Sequence, residues 1–444
     1  MFDKYHLEHS LSKLAIEYQK PSRYIVAYSG GMDSTVLLHA LKSIDDDTPI
    51  IALYVNHQVN DQSNEWSEFC NTNADSLGIN FSAFKVDVDF KSGKGTEASM
   101  RDARYAIFRD FIKDGDWLLT AHHLNDQTET LLLNLFRGSG PDGLSGINNF
   151  RNFSNGKLVR PLLSVDQKYL RSYAEKENLN WIDDPSNKDN NLDRNFLRNN
   201  IIPKLEDRWI SLNKRLSKVT QLANESKLHL IDLAKIDLDK VGLIDCYDLD
   251  PYRELSESRQ RNLLRYSVNK MSLPSPPYKQ LLEITKTIVN SGINSNPVVS
   301  WPGVDVRRYQ NHLYLLPQIA ADNTLKKIKI YPNDEYISLG SGMGTLSLEP
   351  STNFGIDSEI ANQGLLIVFR EGGENLRPVN SDHNRKLKKL LQDKQIFPWM
   401  RDKIPILMLG DEIVCVADFW VAEKFSKLPG YIFKWHQKPK LGLP

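Results

Sequence analysis

The chain has 444 residues, with 56 Lys and Arg against 56 Asp and Glu, and a quarter of it is charged. Its 40 % hydrophobic content is ample for two to four cores at roughly 100–200 residues per domain, and 24 Gly with 21 Pro exclude collagen-like and low-complexity classes. The neutral total hides two halves: residues 1–150 carry 13 basic against 21 acidic side chains (net −8), residues 151–444 carry 43 against 35 (net +8), so a nucleic-acid partner is not excluded.

Residues 23–29 (RYIVAYS) read as a buried strand and 34–42 as a helix. Residues 50–56 (IIALYVN) form a second strand, with a polar helix near 64–77. A third strand is expected over 81–88 and a helix over 96–113. A fourth strand at 117–121 (WLLTA) leads to a helix over 126–136, and 157–163 reads as a fifth strand. Short strands alternating with helices predict an α/β fold, a doubly wound parallel sheet of Rossmann type covered on both faces. Ligands of such sheets bind beyond the carboxyl ends of the strands.

From about residue 165 helices dominate, at 166–178, 194–205, 213–234, 257–271 and 279–289. A hairpin over 304–309 and 312–316, a linker at 318–324, and short strands around one basic helix at 385–391 follow. The expected domains are an α/β catalytic domain over 1–212, a mostly helical middle domain over 213–320 and a small α+β domain over 325–444. No run approaches the ~18 apolar residues of a membrane span. The start, MFDKYHLEHSLSKL, lacks the apolar stretch of a signal peptide. Cys70, Cys246 and Cys415 stand far apart, without zinc spacing or a disulfide framework. A reducing, cytoplasmic setting with no membrane partner is expected.

Between the first strand and the first helix stands Ser29-Gly30-Gly31-Met32-Asp33-Ser34. Both glycines permit close backbone approach and unusual dihedrals. Their amides and the helix N-terminus form an anion cradle, to which Ser29 and Ser34 add hydroxyls. Asp33 beside polyphosphate implies a cation between them, hence Mg²⁺. A Walker loop would need a Lys that is missing here. A bare Ser-Gly-Gly is usually a helix-capping turn. All six positions resemble the signature of the PP-loop ATP pyrophosphatases, and the resemblance implies ATP cleavage between the α and β phosphates, with transfer of AMP to a substrate oxygen.

A second constellation, His122-His123-Leu124-Asn125-Asp126-Gln127-Thr128-Glu129-Thr130 through Arg137, starts where the fourth strand ends. Asp126, Glu129 and Arg137 fall on one helix face. An acid in a first helical turn is also an ordinary cap. The pair His122–His123 is half of a zinc site with no third ligand evident. Acids near the cradle suit Mg²⁺ or an amine nucleophile, which makes Asp33, Asp126 and Glu129 the catalytic candidates. Arg101 and Arg104, at i and i+3, can hold phosphate or carboxylate, or simply pair with Glu97 and Asp102. Asn195 and Arg198 read, from the residues alone, as a cap and a solvated face.

SGGMDS, HHLNDQTETLLLNLFRGSGPDGLSG, Arg160-Pro161-Leu162-Leu163 and Asp184-Pro185-Ser186-Asn187 together resemble the tRNA(Ile)-lysidine synthetase family. So do the segments 97–105, 194–198, 370–374, 385–391, 398–401 and 411–414. The resemblance is weakest over about 215–320. It implies a ligase that uses ATP and Mg²⁺ to join free L-lysine to the wobble cytidine of tRNA(Ile) with a CAU anticodon. The C2 oxygen is adenylated, the lysine ε-amine displaces AMP, and the tRNA changes identity from methionine to isoleucine. It raises Arg101, Arg104, His123, Arg137, Asn195 and Arg198 as substrate or phosphate contacts. A tRNA thiolase is the nearest rival, but the three cysteines lie outside both motifs. A non-catalytic tRNA-binding protein would not need Asp33 and Asp126. The oligomeric state is open, with a homodimer allowed.

Residues 385–403 carry seven basic against two acidic side chains, net +5. Lys386, Lys388, Lys389 and Arg401 are expected to bind tRNA there, with Phe397 and Trp399 available for stacking. A charge run alone is more often a solvated face.

Overall fold

The computed structural model describes residues 2–58, 63–88, 95–292, 295–318, 328–340, 342–352 and 355–442. The chain divides into two compact units, residues 1–230 and 231–444. Most of the linker expected over 318–324 lies outside the described residues.

The first unit begins with α1 (Lys4–Tyr18), β1 (Arg23–Ala27), α2 (Met32–Lys42), β2 (Ile50–Asn56), α3 (Ser63–Ser76) and β3 (Asn80–Lys85). It continues with α4 (Thr96–Phe111), β4 (Asp116–Leu119), α5 (Leu124–Phe136), α6 (Pro141–Leu144), β5 (Phe150–Phe153), β6 (Gly156–Val159) and α7 (Gln167–Lys176). The sheet order is β3-β2-β1-β4-β6-β5. All pairings are parallel except β5 with β6. The expected doubly wound sheet is therefore present, with one correction. Residues 150–153 add an antiparallel edge strand, joined to β6 by a tight turn at Ser154, whose φ is +50°.

Alternation along β1 explains the two layers. Ile25 packs with Phe108 and Ile112 of α4, while Tyr24 and Val26 join the opposite core with α1, α2 and α7. A strand buried on both faces has this apolar run and no polar side. Its register with β4 is closed by Arg23, which pairs with the buried Asp116 across the sheet. Chain order reverses direction between β1 and β4, so a crevice opens at their carboxyl ends.

After α7 comes a 3₁₀ turn at Pro185–Lys188, then α8 (Asp193–Phe196), a π-helical stretch at Leu197–Ile201, and α9 (Ile202–Arg208). The helix expected over 194–205 is present as one helical run over 193–208 that passes through a π-helical stretch. The 30-residue α10 (Leu212–Val241) runs past the expected end at 234.

In the second unit the helices α11 (Leu249–Glu254), α12 (Glu257–Lys270) and α13 (Tyr278–Glu283) lie in the expected helical region. Beside them is a five-stranded antiparallel sheet built on the expected hairpin, Val304–Tyr309 with His312–Pro317. Two further five-stranded antiparallel sheets follow. The basic helix starts later than expected, at Leu387–Asp393, because Arg385 and Lys386 pair as a short strand with Asn375 and Leu376. Among the described residues no helix is long and apolar enough to cross a membrane.

Candidate active site

The Ser29–Ser34 loop leaves β1 and enters α2 with Gly31 as N-cap. Gly30 has φ +78°, which only glycine adopts without strain. A Cβ on it would meet Ile182 Cδ1 at 2.6 Å and the Sγ of fully buried Cys70 at 2.7 Å. The Ile182 amide donates to the Gly30 carbonyl at 2.9 Å, tying residues 181–184 to the loop. Gly31 is different: its φ is −72°, and a Cβ would lie 3.5 Å from Ser29 Oγ. The expectation of unusual dihedrals at both glycines is therefore corrected to Gly30 alone. The Ser29 and Ser34 hydroxyls lie 3.1 Å apart, and Ser34 donates to the Gly31 carbonyl at 3.0 Å.

We expect Gly30→Ala to lower the melting temperature and weaken ATP binding about tenfold or more, from ~1–2 kcal/mol of backbone strain plus the clash. Gly31→Ala should leave the melting temperature unchanged. Equal melting behaviour of the two variants would contradict this assignment.

The loop opens on a cleft of ≈ 730 Å³, within the usual range for small-molecule sites. Its wall carries Asp33, Arg101, Arg104, His122, Asp126 and Arg198, brought in by α2, α4, the end of β4, α5 and the π-helical stretch. Arg104 Nε reaches His57 Nε2 at 3.4 Å. Burial, helped by that guanidinium, pushes the His57 pKa down to about 4, so the ring stays a neutral acceptor. Burial likewise lowers His122 to about 3, against the pull of Asp126 and together with Arg160, Arg194 and Arg101.

Several expected residues stand elsewhere. His123 is 2 % exposed and is absent from the cleft wall. Its Nε2 lies 3.4 Å from Asp33 Oδ2 and 3.6 Å from Asp126 Oδ2, so it bridges the two acids from behind. Asp126 also accepts from the His123 amide at 2.9 Å and so caps α5. Burial opposes ionisation of Asp126, but His123, His122, Arg194 and that amide outweigh it and hold its pKa at about 2.

Glu129 is 1 % exposed and also lies outside the cleft wall. Arg198 Nε donates to its Oε1 at 2.6 Å, and Arg194 Nε to its Oε2 at 2.7 Å. Both carboxylate oxygens are thus engaged by guanidiniums, so Glu129 holds Arg194 and Arg198 in place from behind the cleft wall. Asn195 is buried and donates to the Ser186 and Asp189 carbonyls, both at 2.9 Å. It pins the loop and does not face the cleft. Arg137 sits exposed at the C-cap of α5, outside the cleft wall. Sequence reasoning missed Arg194, His122 and Gln167. The last donates to Asp33 at 3.2 Å.

In the second unit Lys386, Lys388 and Lys389 are exposed around a shallow hollow with Gln392 and Asp393. Arg401 is not part of it and donates to the Ile396 carbonyl at 3.0 Å. Phe397 is 1 % exposed and stacked on Trp399, with ring centroids 4.8 Å apart. Phe397 therefore belongs to the core and is not available for base stacking, while half-buried Trp399 packs against that core.

Burial disfavours the His123 cation, yet Asp126 and Asp33, with Glu129 beyond, outweigh it and raise the ring above its ordinary 6.5. A raised histidine pKa gives stability that is complete below the unfolded value and lost as pH rises through the folded one. Wild-type melting temperature should therefore fall as pH rises above the ordinary histidine value of about 6.5, and His123→Gln should flatten that limb. Parallel pH profiles would remove the charged bridge.

Residues 4–205 match the family model of a PP-loop domain, 248–314 that of the TilS substrate binding domain, and 365–432 that of the TilS substrate C-terminal domain. The tRNA(Ile)-lysidine synthase of Coxiella burnetii is 35 % identical over 407 residues, covering 91 % of this chain and 90 % of the relative. That of Alkalilimnicola ehrlichii is 35 % identical over 420 residues, covering 92 % of each. A solved U34-tRNA thiolase from Methanococcus maripaludis is matched at 17 % identity and TM-score 0.42, over 50 % of this chain and 77 % of that one. With two full-length relatives above 30 % identity and three matching domains in order, this chain belongs to the tRNA(Ile)-lysidine synthase family, a family of ligases.

Proposed function

We propose that the chain uses ATP to join the ε-amine of free L-lysine to C2 of the wobble cytidine in a CAU-anticodon tRNA(Ile). The observation that carries this is one cleft with a phosphate cradle at one wall and ionised Asp126 and five arginines, Arg101, Arg104 and Arg198 among them, at the others. The Ser29–Ser34 amides and hydroxyls hold the ATP phosphates at the positive end of α2. Asp33, a carboxylate beside that cradle, would hold a Mg²⁺ brought in with the ATP, which would neutralise charge on the phosphates. Arg101, Arg104 and Arg198 hold oxyanions as charge moves between phosphates.

An amide-like oxygen is a poor leaving group. The cytidine C2 oxygen attacks the α-phosphorus, pyrophosphate departs, and the oxygen leaves later within AMP. Asp126 stays ionised and attracts the lysine ammonium, which gives one proton to water so that the free amine can attack C2 and displace AMP. The amine becomes far more acidic once it bonds to C2, so even this weak base takes its proton then. The two parts expected over 213–320 and 325–444 supply tRNA contacts, with Lys386, Lys388 and Lys389 on the surface of the latter.

The test is incubation with ATP, Mg²⁺, radiolabelled lysine and CAU-anticodon tRNA(Ile). Label should enter the tRNA with release of AMP and pyrophosphate. No incorporation by folded protein would refute the reading. Reversing Lys388 and Lys389 to Glu should weaken tRNA binding at least about tenfold and reduce its salt slope while ATP affinity persists. Unchanged tRNA affinity would remove the patch.

A further inference from the structure

Beside the main cleft lies a second pocket of ≈ 250 Å³. Arg101, Arg151, Arg160 and Arg194 line it together with His122. Among the described residues no carboxylate lines it. Arg194 is committed to Glu129 and Asp126. Arg101 lies over the ring of Tyr105 at 5.3 Å, and Arg151 over the rings of Phe153 and Tyr105 at 5.6 and 5.9 Å.

Arg160 is the informative member. It is 4 % exposed, and its Nε is buried without a hydrogen-bond partner. Its Nη1 donates to the Asn148 carbonyl at 2.5 Å. A buried guanidinium with an orphan N–H is costly unless something else accepts from it. The 146–148 segment of the lining is equally fixed. Buried Gln127 donates to the Ile147 carbonyl at 2.9 Å and accepts from the Ile147 amide at 2.6 Å. The pocket is thus built, cationic and short of acceptors.

We infer that this side pocket holds a backbone phosphate of the RNA substrate, next to the nucleotide presented to the main cleft. The assignment rests on the reaction proposed above. A free amino acid fits poorly, because its α-ammonium would face four guanidiniums with no carboxylate to receive it. A phosphodiester brings an anion and no cation. Pyrophosphate shares the chemistry, but the cradle at the Ser29–Ser34 loop lies in the other wall and does not line this pocket. Holding a phosphate here fixes the RNA backbone while the neighbouring base is splayed into the cleft, the usual mode for single-stranded loops.

The experiment uses the full chain with exposed Arg151 changed to Gln and to Glu, and Arg109→Gln on the last turn of α4 as the control. Binding of a CAU-anticodon tRNA(Ile) transcript is measured against salt, without ATP or lysine. Arg151→Gln should raise Kd about fivefold and shrink the salt slope by roughly 0.7–0.9, one phosphate's share. Arg151→Glu should weaken binding further, and Arg109→Gln should not weaken it. The KM for ATP, the KM for lysine and inhibition by inorganic pyrophosphate should stay at wild-type values. Unchanged tRNA binding, or an equal loss from Arg109→Gln, would overturn the pocket. So would a rise in lysine KM or a changed pyrophosphate inhibition, which would hand the pocket to one of those anions. Failure of wild-type protein to incorporate lysine refutes the reaction instead, and leaves the binding result standing.

Discussion

Glu129→Ala should destabilise the first unit by about 3 kcal/mol, the lower end of the cost of breaking a buried ion pair. The carboxylate is 1 % exposed and satisfies Arg194 and Arg198 together. Removing it leaves two guanidiniums facing each other with only Asp126 between them. The lower end applies because the Arg198 side chain is 35 % exposed and solvent recovers part of its charge. For a unit of this size the melting temperature should drop by roughly 6–12 °C. Glu129→Gln should lose nearly as much, because its amide nitrogen would point a donor at a donor. Activity falls too, but through the misplaced arginines. A Glu129→Gln enzyme that melts like wild type and loses only kcat would instead make Glu129 a chemical base.

That distinction shows where sequence reasoning stops. The β1–loop–α2 unit was legible because all its determinants are local: an apolar strand, a helix N-terminus and the glycine pair between them. The α5 face was equally legible from its spacing. The fate of Glu129 was not, because its partners lie 65 and 69 residues away. Nothing in residues 126–129 announces them. Arg194 stood beside two residues that were singled out, and nothing local marks it as the partner of Glu129. The π-helical stretch at Leu197–Ile201 follows α8 there, and Arg198 within it shares Glu129 with Arg194. His123 was preferred to His122 with no local signal to separate them. Burial decides it, with His123 behind the acids and His122 on the wall. In the second unit the basic run was visible. Its division into a paired Arg385, a backbone-bound Arg401 and three free-standing lysines depends on tertiary contacts.

Asp33→Asn tests the opposite case, chemistry without stability. The Asp33 side chain is 28 % exposed, and its partners among the described residues are the Gln167 amide and His123. Asparagine keeps the shape and an acceptor for Gln167, so stability should change by no more than about 0.5 kcal/mol. The lost charge is another matter. A carboxylate beside the phosphate cradle would hold the cation that meets the developing charge, and loss of one such electrostatic group costs roughly 10²–10³ in rate, about 3–4 kcal/mol. Lysine incorporation should therefore fall by that factor while the melting temperature stays within a degree or two of wild type. The His123 ring keeps Asp126 but loses one of its two anions, so its pKa should drop, and the alkaline fall in stability should begin at lower pH. Raised Mg²⁺ should restore part of the Asp33→Asn activity if the residue acts through the cation, because weaker binding is offset by concentration. Full activity at ordinary Mg²⁺ would strip Asp33 of its role. A large drop in melting temperature would make the residue structural and leave the phosphate cradle without an acid partner.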